Sequence, residues 1–158
     1  MEEGIVKGPL PKKLPDRMKL RDQRPLPEGA FLRFQQMSRG RSPAYNRRWV
    51  LFRDGRVYYD RHHGSERDWS SPFKDDLRPK ADTSLSPEAV EAIESWLREA
   101  DFFDEPPYQV DHGVRDGDNF FLTARLDDRL HEVIYAAVYP PLVENLLNLI
   151  ARSEAPGA

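Results

Sequence analysis

Residues 46–60 predict a β-hairpin whose strands carry large apolar side chains on both faces. The Asp54-Gly55 pair between the strands is typical of a two-residue type I′ turn, in which both central residues take a positive φ. Counting back from this turn predicts two sets of side chains on opposite faces, namely Val50, Phe52, Val57 and Tyr59 on one face and Trp49, Leu51 and Tyr58 on the other. We expect one face to meet helices and the other to be covered by the N-terminal arm or by a partner protein. The polar residues 61–83 that follow are expected to form a long loop.

A second hairpin is predicted around Asp127-Asp128. Apolar and polar side chains alternate over residues 120–126, as they do in a half-buried strand, and residues 129–138 form the returning strand. A turn at these two aspartates places His131 opposite Ala124, where we expect a partly buried structural histidine.

Two helices complete the pattern. Ser86 is a plausible N-cap and Pro87 occupies the first helical position, so a helix is expected to begin there and to end near Asp101. Residues 142–150 have the spacing of an amphipathic helix, and residues 31–34 that of a short first strand. We therefore predict an α+β fold, an antiparallel sheet of about five strands with two helices packed on one face, in the order β-β-β-α-(β)-β-β-α.

Residues 1–28 are expected to form an extended arm ahead of a single α+β domain at residues 29–153 and a frayed tail at residues 154–158. The arm contains five prolines and seven Lys or Arg residues, and its apolar residues follow no steady period. Either it is a loose terminus, or it is a strap that lies on this domain or on a partner.

The order of several short motifs resembles that of a family of small uncharacterised bacterial domains. The family pattern runs Cys-Pro-x-Tyr, Asp-Gly-x-Val-x-Tyr, Phe-Phe, Tyr and Asp, and the corresponding residues here are Ser42-Pro43-Ala44-Tyr45, Asp54-Gly55-Arg56-Val57-Tyr58-Tyr59, Phe102-Phe103, Tyr108 and Asp118. Ser42 stands in place of the family's cysteine, so any redox or structural role of that cysteine would be absent here. The resemblance covers about residues 38–152 and implies a fold and a bacterial source, but no activity.

Few patterns in the chain point to catalysis. The sequence has no cysteine, which excludes disulfides, thiolate nucleophiles and cysteine-ligated metals. It also has neither a Gly-x-Ser-x-Gly elbow nor a glycine-rich phosphate loop. His62 and His63 are adjacent rather than four residues apart, and we expect them on a surface loop. We therefore predict no catalytic residue, no metal site and no cofactor.

Residues 111–119 are the one cluster that could hold a cation. They contain three carboxylates, a histidine, an asparagine and two glycines, and a hard cation such as calcium prefers oxygen ligands of this kind. Their order does not match the twelve-residue calcium loop. A solvated turn, in which Asp and Gly serve the backbone geometry, is the alternative that we favour over a cation site or a small enzyme.

Charge is distributed unevenly along the chain. Residues 1–80 contain 19 Lys or Arg against 11 Asp or Glu, whereas residues 81–158 contain 5 against 16. Seven arginines lie within a short stretch of the basic half, interleaved with aromatic residues: Arg33, Arg39, Arg41, Arg47, Arg48, Arg53 and Arg56. They either pair with acids of the second half or of a partner, or they form a platform for single-stranded nucleic acid. The pI of about 5.8 disfavours the nucleic-acid alternative.

We therefore expect a non-enzymatic protein-interaction or assembly subunit that docks through its arm and first hairpin. The candidate binding residues are Arg39, Arg41, Arg47, Arg48, Trp49, Leu51 and Tyr58. The longest apolar run, residues 133–139, is too short for a membrane span, and the first residues lack the order of a signal peptide. A cytoplasmic location, a protein partner or larger complex, and no membrane partner are the corresponding expectations.

Overall fold

One eight-stranded sheet forms the centre of the computed structural model, which describes residues 4–15, 18, 21–37, 46–61, 79–113, 118–138 and 144–148. In chain order its strands are β1 (Ile5–Gly8), β2 (Ala30–Met37), β3 (Arg47–Phe52), β4 (Arg56–Arg61), β5 (Thr83–Ser84), β6 (Tyr108–Asp111), β7 (Asn119–Leu126) and β8 (Arg129–Ala136). Across the sheet their order is β1-β6-β8-β7-β2-β3-β4-β5. Neighbouring strands are antiparallel, except for the parallel pair of β6 and β8.

The predicted α+β class with a mostly antiparallel sheet and two helices is confirmed, but the predicted count of about five strands and the predicted order of elements along the chain are wrong. The sequence pattern missed β1, which lies in the arm, and β5, which lies at the end of the segment expected to be a loop. These strands are four and two residues long and lie at the two edges of the sheet. Such short strands are held by backbone pairing and contain too few side chains to show a period of two.

The first hairpin forms where it was predicted, but its register differs by one residue. Leu51 pairs with Val57, and of the two central residues only Gly55 has a positive φ, at 99°. The Gly55 N–H donates to the Phe52 carbonyl over 2.9 Å. This is a type I turn followed by a left-handed glycine, which inserts one more residue than a type I′ turn. As a result the faces are Trp49, Leu51, Val57 and Tyr59 on one side and Val50, Phe52 and Tyr58 on the other.

The second hairpin has the predicted turn. Asp127 and Asp128 have φ values of 52° and 64°, and Leu126 pairs with Arg129 across them. The two-residue type I′ geometry therefore occurs here, and it pairs His131 with Ala124 as expected.

Both helices pack on the same face of the sheet. Helix α1 (Pro87–Glu99) begins at Ser86, whose side chain accepts a hydrogen bond from the Ala89 N–H over 3.1 Å. Its Val90, Ile93 and Leu97 are buried against the apolar side chains of the strands. A 3-10 helix (Phe102–Asp104) follows, and a second helix includes residues 144–148 and buries Leu146 in the same core. Neither described helix is long and apolar enough to cross a membrane.

The opposite face of the sheet is covered by the N-terminal arm. Leu26 packs with Val50, Phe52 and Tyr58 of the first hairpin, and Met18 packs with a second apolar cluster on the same face, Met37, Phe121, Ile134 and Ala136. Of the alternatives for this arm, the structure has the strap on its own domain, and it supplies the cover that the two-faced hairpin requires.

Replacing Gly55 with alanine is expected to lower the free energy of unfolding by about 2 to 4 kcal/mol. The left-handed conformation is costly for a residue with a Cβ, and a Cβ here would clash with the Leu85 carbonyl oxygen. The matched control is Gly8→Ala, because a Cβ on Gly8 has open space around it. Urea unfolding of both variants checks this, and equal losses would contradict the register described above.

Candidate functional site

Charged and polar side chains are buried between the arm and the sheet. Arg33 on β2 and Arg48 on β3 are buried, and so is Asp22 of the arm that covers them. Charged residues are seldom buried unless they are paired. We call Asp22, Arg24, Arg33 and Arg48 the arginine cluster.

Strand register explains why the two sheet arginines need a carboxylate from elsewhere. Arg33 is opposite Val50, and Gln35 is opposite Arg48. Arg33 and Arg48 are therefore diagonal neighbours on the same face of two adjacent strands. On the far side Arg48 is opposite Asp60 of β4, and its Nε and Nη2 both donate to Oδ2 of that residue. The second carboxylate comes from the arm.

Asp22 is positioned by both its side chain and its backbone. Its carboxylate accepts from Nη1 of Arg48 over 2.6 Å and from Nε of Arg24 over 2.9 Å, and it lies 3.8 Å from Nη1 of Arg33. Gln35 holds the backbone, because its Oε1 accepts from the Asp22 N–H over 2.7 Å and its Nε2 donates to the Asp22 carbonyl over 3.1 Å. This part of the arm is therefore attached by directional contacts as well as by apolar packing.

The pKa of the Asp22 carboxyl is lowered relative to its ordinary value. Burial raises this pKa, but the hydrogen bond from Arg24 and the charges of Arg33 and Arg48 together outweigh burial. Asp22 is thus an anion in the folded protein at neutral pH.

Arg33 is the least satisfied member of the cluster. Its Nη1 donates to the Arg24 carbonyl over 2.6 Å, but its Nε has no hydrogen-bond partner within the part of the chain that the structure describes. Burial lowers the pKa of Arg33 from its usual value, and the charges of Asp22 and Glu132 offset part of that effect. A buried guanidinium of this kind still has hydrogen-bonding capacity to offer.

A cavity of about 210 Å³ adjoins the cluster. Its lining consists of the four cluster residues and three apolar residues: Asp22, Arg24, Arg33, Arg48, Pro25, Pro27 and Val50. Three guanidinium groups against one carboxylate make this lining cationic, and the remainder is apolar.

An open groove of about 540 Å³ lies on the other side of Arg24 and Pro25, between the arm and the β7–β8 hairpin. Arg21 reaches across its floor, where Nη2 forms an ion pair with Glu132 at 3.0 Å and the guanidinium lies 5.4 Å from the centre of the Phe121 ring. Arg24 and Arg33 also line this groove. Two leucines at its rim are exposed, Leu10 at 47% and Leu130 at 61%.

The structure places most of the predicted binding residues inside the protein. Trp49 and Leu51 are buried on the face toward the helices, and Arg48 and Tyr58 are buried under the arm. Arg47 is half-buried, and Arg39 and Arg41 lie outside the described residues. Trp49 packs on Phe34 and Tyr59, with ring centroids 5.0 and 4.9 Å apart, so these aromatic rings stack on one another in the core. They form no exposed platform for bases.

The basic half of the chain finds many of its counter-charges within itself. Arg33 and Arg48 are near Asp22, and Arg56 pairs with Asp54 at 2.8 Å. Arg21, which is not one of the seven arginines singled out in the sequence, pairs with Glu132 of the second half.

The cation alternative at residues 111–119 is only partly described, since residues 114–117 lie outside the structure's described ranges. Asp111 accepts from the Gly113 N–H over 2.9 Å, and Asp118 accepts from Gln36 over 2.8 Å. Across the described residues no three or more metal-ligating side chains come together. His131 is half-buried against Phe102, and its Nε2 lies 2.8 Å from the Glu105 carbonyl oxygen, while His62 and His63 lie outside the described residues.

Sequence reasoning missed Asp22 and Arg24 as site residues and counted Arg33 only among the basic residues. One signal was present. In β2 the polar residues Arg33 and Gln35 alternate with apolar ones, and a strand in the centre of a sheet directs such residues at whatever covers that face. Comparison with protein-family models, curated proteins and solved structures finds no match to this chain. The motif resemblance thus stays a prediction, and function has to be argued from the geometry.

Asp22→Asn is expected to lower the free energy of unfolding by about 3 kcal/mol at pH 7, because it removes the carboxylate nearest the buried Arg33 and one of the two that Arg48 binds. A lowered pKa stabilises the fold above the unfolded-state value of about 4, and this contribution is lost as the pH falls through the folded-state pKa. The difference between wild type and variant should therefore shrink in acid, which urea unfolding at a series of pH values measures. The control is Asp54→Asn, since Asp54 forms an exposed pair. A pH-independent difference, or an equal effect of both variants, would refute the role of Asp22.

Proposed function

We propose that this chain is a non-enzymatic protein-interaction subunit. It would bind a segment of a partner protein that contains both acidic and large apolar residues, in the groove between the arm and the β7–β8 hairpin. The observation that carries this proposal is the pairing of exposed leucines with arginines around one groove. A groove that offers both charged and apolar contacts can bind one peptide specifically, whereas charged contacts alone would bind many acidic ligands.

The apolar part comes from two distant parts of the chain. Leu10 belongs to the arm and Leu130 to the β7–β8 hairpin, and both line the groove together with Pro25 and Pro107. Single exposed leucines are ordinary on protein surfaces, but two that line one concave site offer apolar area to the same ligand.

The charged side chains of the groove determine which charge the partner segment should carry. Arg21, Arg24 and Arg33 line the groove with Glu132, so the lining is cationic overall. Arg24 is the accessible member, with 40% of its side chain exposed. Its Nε and Nη2 donate to Asp22, and a carboxylate on the partner would complement the charge of its exposed part.

The proposal keeps the arm as the docking element but changes the part played by the first hairpin. Both faces of the hairpin are covered, one by α1 and one by the arm, so it acts as support. Arg48 of β3 holds Asp22, and Asp22 in turn binds Arg24, which lines the groove. The hairpin therefore contributes to the site through the arm.

Selection of short peptides from a random library on the full chain tests the proposal. We expect enrichment of peptides in which Asp or Glu lies next to Leu, Ile or Phe, and weaker binding as salt concentration rises. Leu130→Ser and Arg24→Gln should each weaken a selected peptide about tenfold or more, measured by fluorescence anisotropy.

Val6→Ser is the matched control for that experiment. Val6 is 53% exposed on β1 and does not line the groove, so its replacement should leave peptide affinity unchanged. Failure to enrich acidic peptides, or equal binding to wild type and Leu130→Ser, would refute the proposed function.

A further inference from the structure

The geometry points to a separate site for a small organic anion in the cavity of the arginine cluster, a molecule with one carboxylate or phosphate group on a short apolar body. This site is distinct from the proposed peptide groove, because the two share Arg24, Pro25 and Arg33 but only the cavity is lined by Arg48 and Val50 of the sheet. Four observations support it.

The first is a buried donor without a partner. Arg33 is only 4% exposed in its side chain, and its Nε makes no hydrogen bond to any described residue. Its distance of 3.8 Å from Asp22 is an ion-pair distance that is too long for a hydrogen bond. Arg33 lines the cavity, so an oxyanion there would lie beside a buried guanidinium whose hydrogen bonds are incompletely satisfied by the described residues.

The second is the charge of the lining. Arg24, Arg33 and Arg48 face one carboxylate, Asp22, so the cavity wall has an excess of positive charge. In a partly buried site, an attraction of this kind is stronger than between fully exposed groups. Asp60, which Arg48 also binds, offsets part of this charge, and an anion in the cavity would offset more of it.

The third is the size and composition of the cavity. About 210 Å³ exceeds the roughly 150 Å³ of an engineered protein cavity that binds benzene, so a one-ring molecule fits. Pro25, Pro27 and Val50 form the apolar part of the wall, which suits an apolar body behind the charged group.

The fourth is preorganisation. Gln35 holds the backbone of Asp22 by two hydrogen bonds, and Arg33 is anchored to the Arg24 carbonyl. Guanidinium groups fixed in this way lose little freedom when a ligand binds. The half-exposed Arg24 forms the wall beside which a ligand would enter.

Isothermal titration of the full chain with benzoate and with phenyl phosphate tests the site, and benzamide serves as the neutral analogue of benzoate. We expect saturable binding of at least one anion and none of benzamide. At a hundredfold excess over Kd, the midpoint of thermal unfolding should rise by roughly 5 °C or more. Comparison of the two Kd values shows whether the site prefers a carboxylate or a phosphate.

Four variants together test whether an anion binds in this cavity. Arg33→Gln and Arg24→Gln should each weaken the anion about tenfold or more, and Arg24→Gln keeps the test valid if removal of the buried Arg33 impairs folding. Arg56→Gln, which removes an exposed arginine of β4 that does not line the cavity, should have no effect. Leu130 lines the groove but not the cavity, so Leu130→Ser should leave anion binding unchanged. That result would distinguish the anion site from the peptide groove. Equal binding of benzamide, no binding of either anion, or a similar loss in Arg56→Gln would overturn the inference.

Discussion

Attachment of the arm to the sheet through Asp22 is the interaction on which the rest of the structure depends. The sheet presents buried Arg33 and Arg48 on the face away from the helices, and both are near the Asp22 carboxylate. Buried cations on a sheet are costly unless a counter-charge is buried with them. The arm brings that carboxylate, and the apolar contacts of Leu26 and Met18 lie to either side of it along the chain. Ion pairing and apolar packing therefore favour the same position of the arm.

The same attachment creates both candidate binding sites. As the arm crosses the sheet, Arg24 and Pro25 separate an inner cavity from an outer groove, and Arg33 lines both. The inner site is enclosed by charged groups that are already held in place, which suits a small anion. The outer site combines exposed leucines with arginines, which suits a larger and flexible partner. A long arm rich in proline and arginine can thus be a structural layer and a binding surface at once.

The sequence predicted the elements with strong local signals. Ser86 and Pro87 marked the start of α1, the alternation over residues 120–126 marked β7, and the turn at Asp127-Asp128 was placed correctly. The register of the first hairpin was not predictable from Asp54-Gly55 alone, because the same pair fits a type I′ turn and a type I turn with a left-handed glycine. Only packing on the two faces distinguishes these turns.

The binding sites were harder to predict than the fold. Arg48, Trp49 and Tyr58 have the composition of an exposed binding surface, yet they are buried because α1 and the arm cover both faces of the hairpin. Asp22 is far from Arg48 in the sequence, and their contact depends on where the arm crosses the sheet. No local pattern encodes a contact of that kind.

Amide hydrogen exchange of the full chain measures most directly whether the arm is a layer of the fold. Several arm amides are engaged in hydrogen bonds, among them Asp22 N–H to the Gln35 side chain, Arg24 N–H to the Asp22 carboxylate and Met18 N–H to the Pro15 carbonyl. The account predicts that the buried Asp22 amide is protected to an extent approaching that of the central strand β2. Exchange of the arm amides at the rate of an unfolded chain, with β2 still protected, would contradict it.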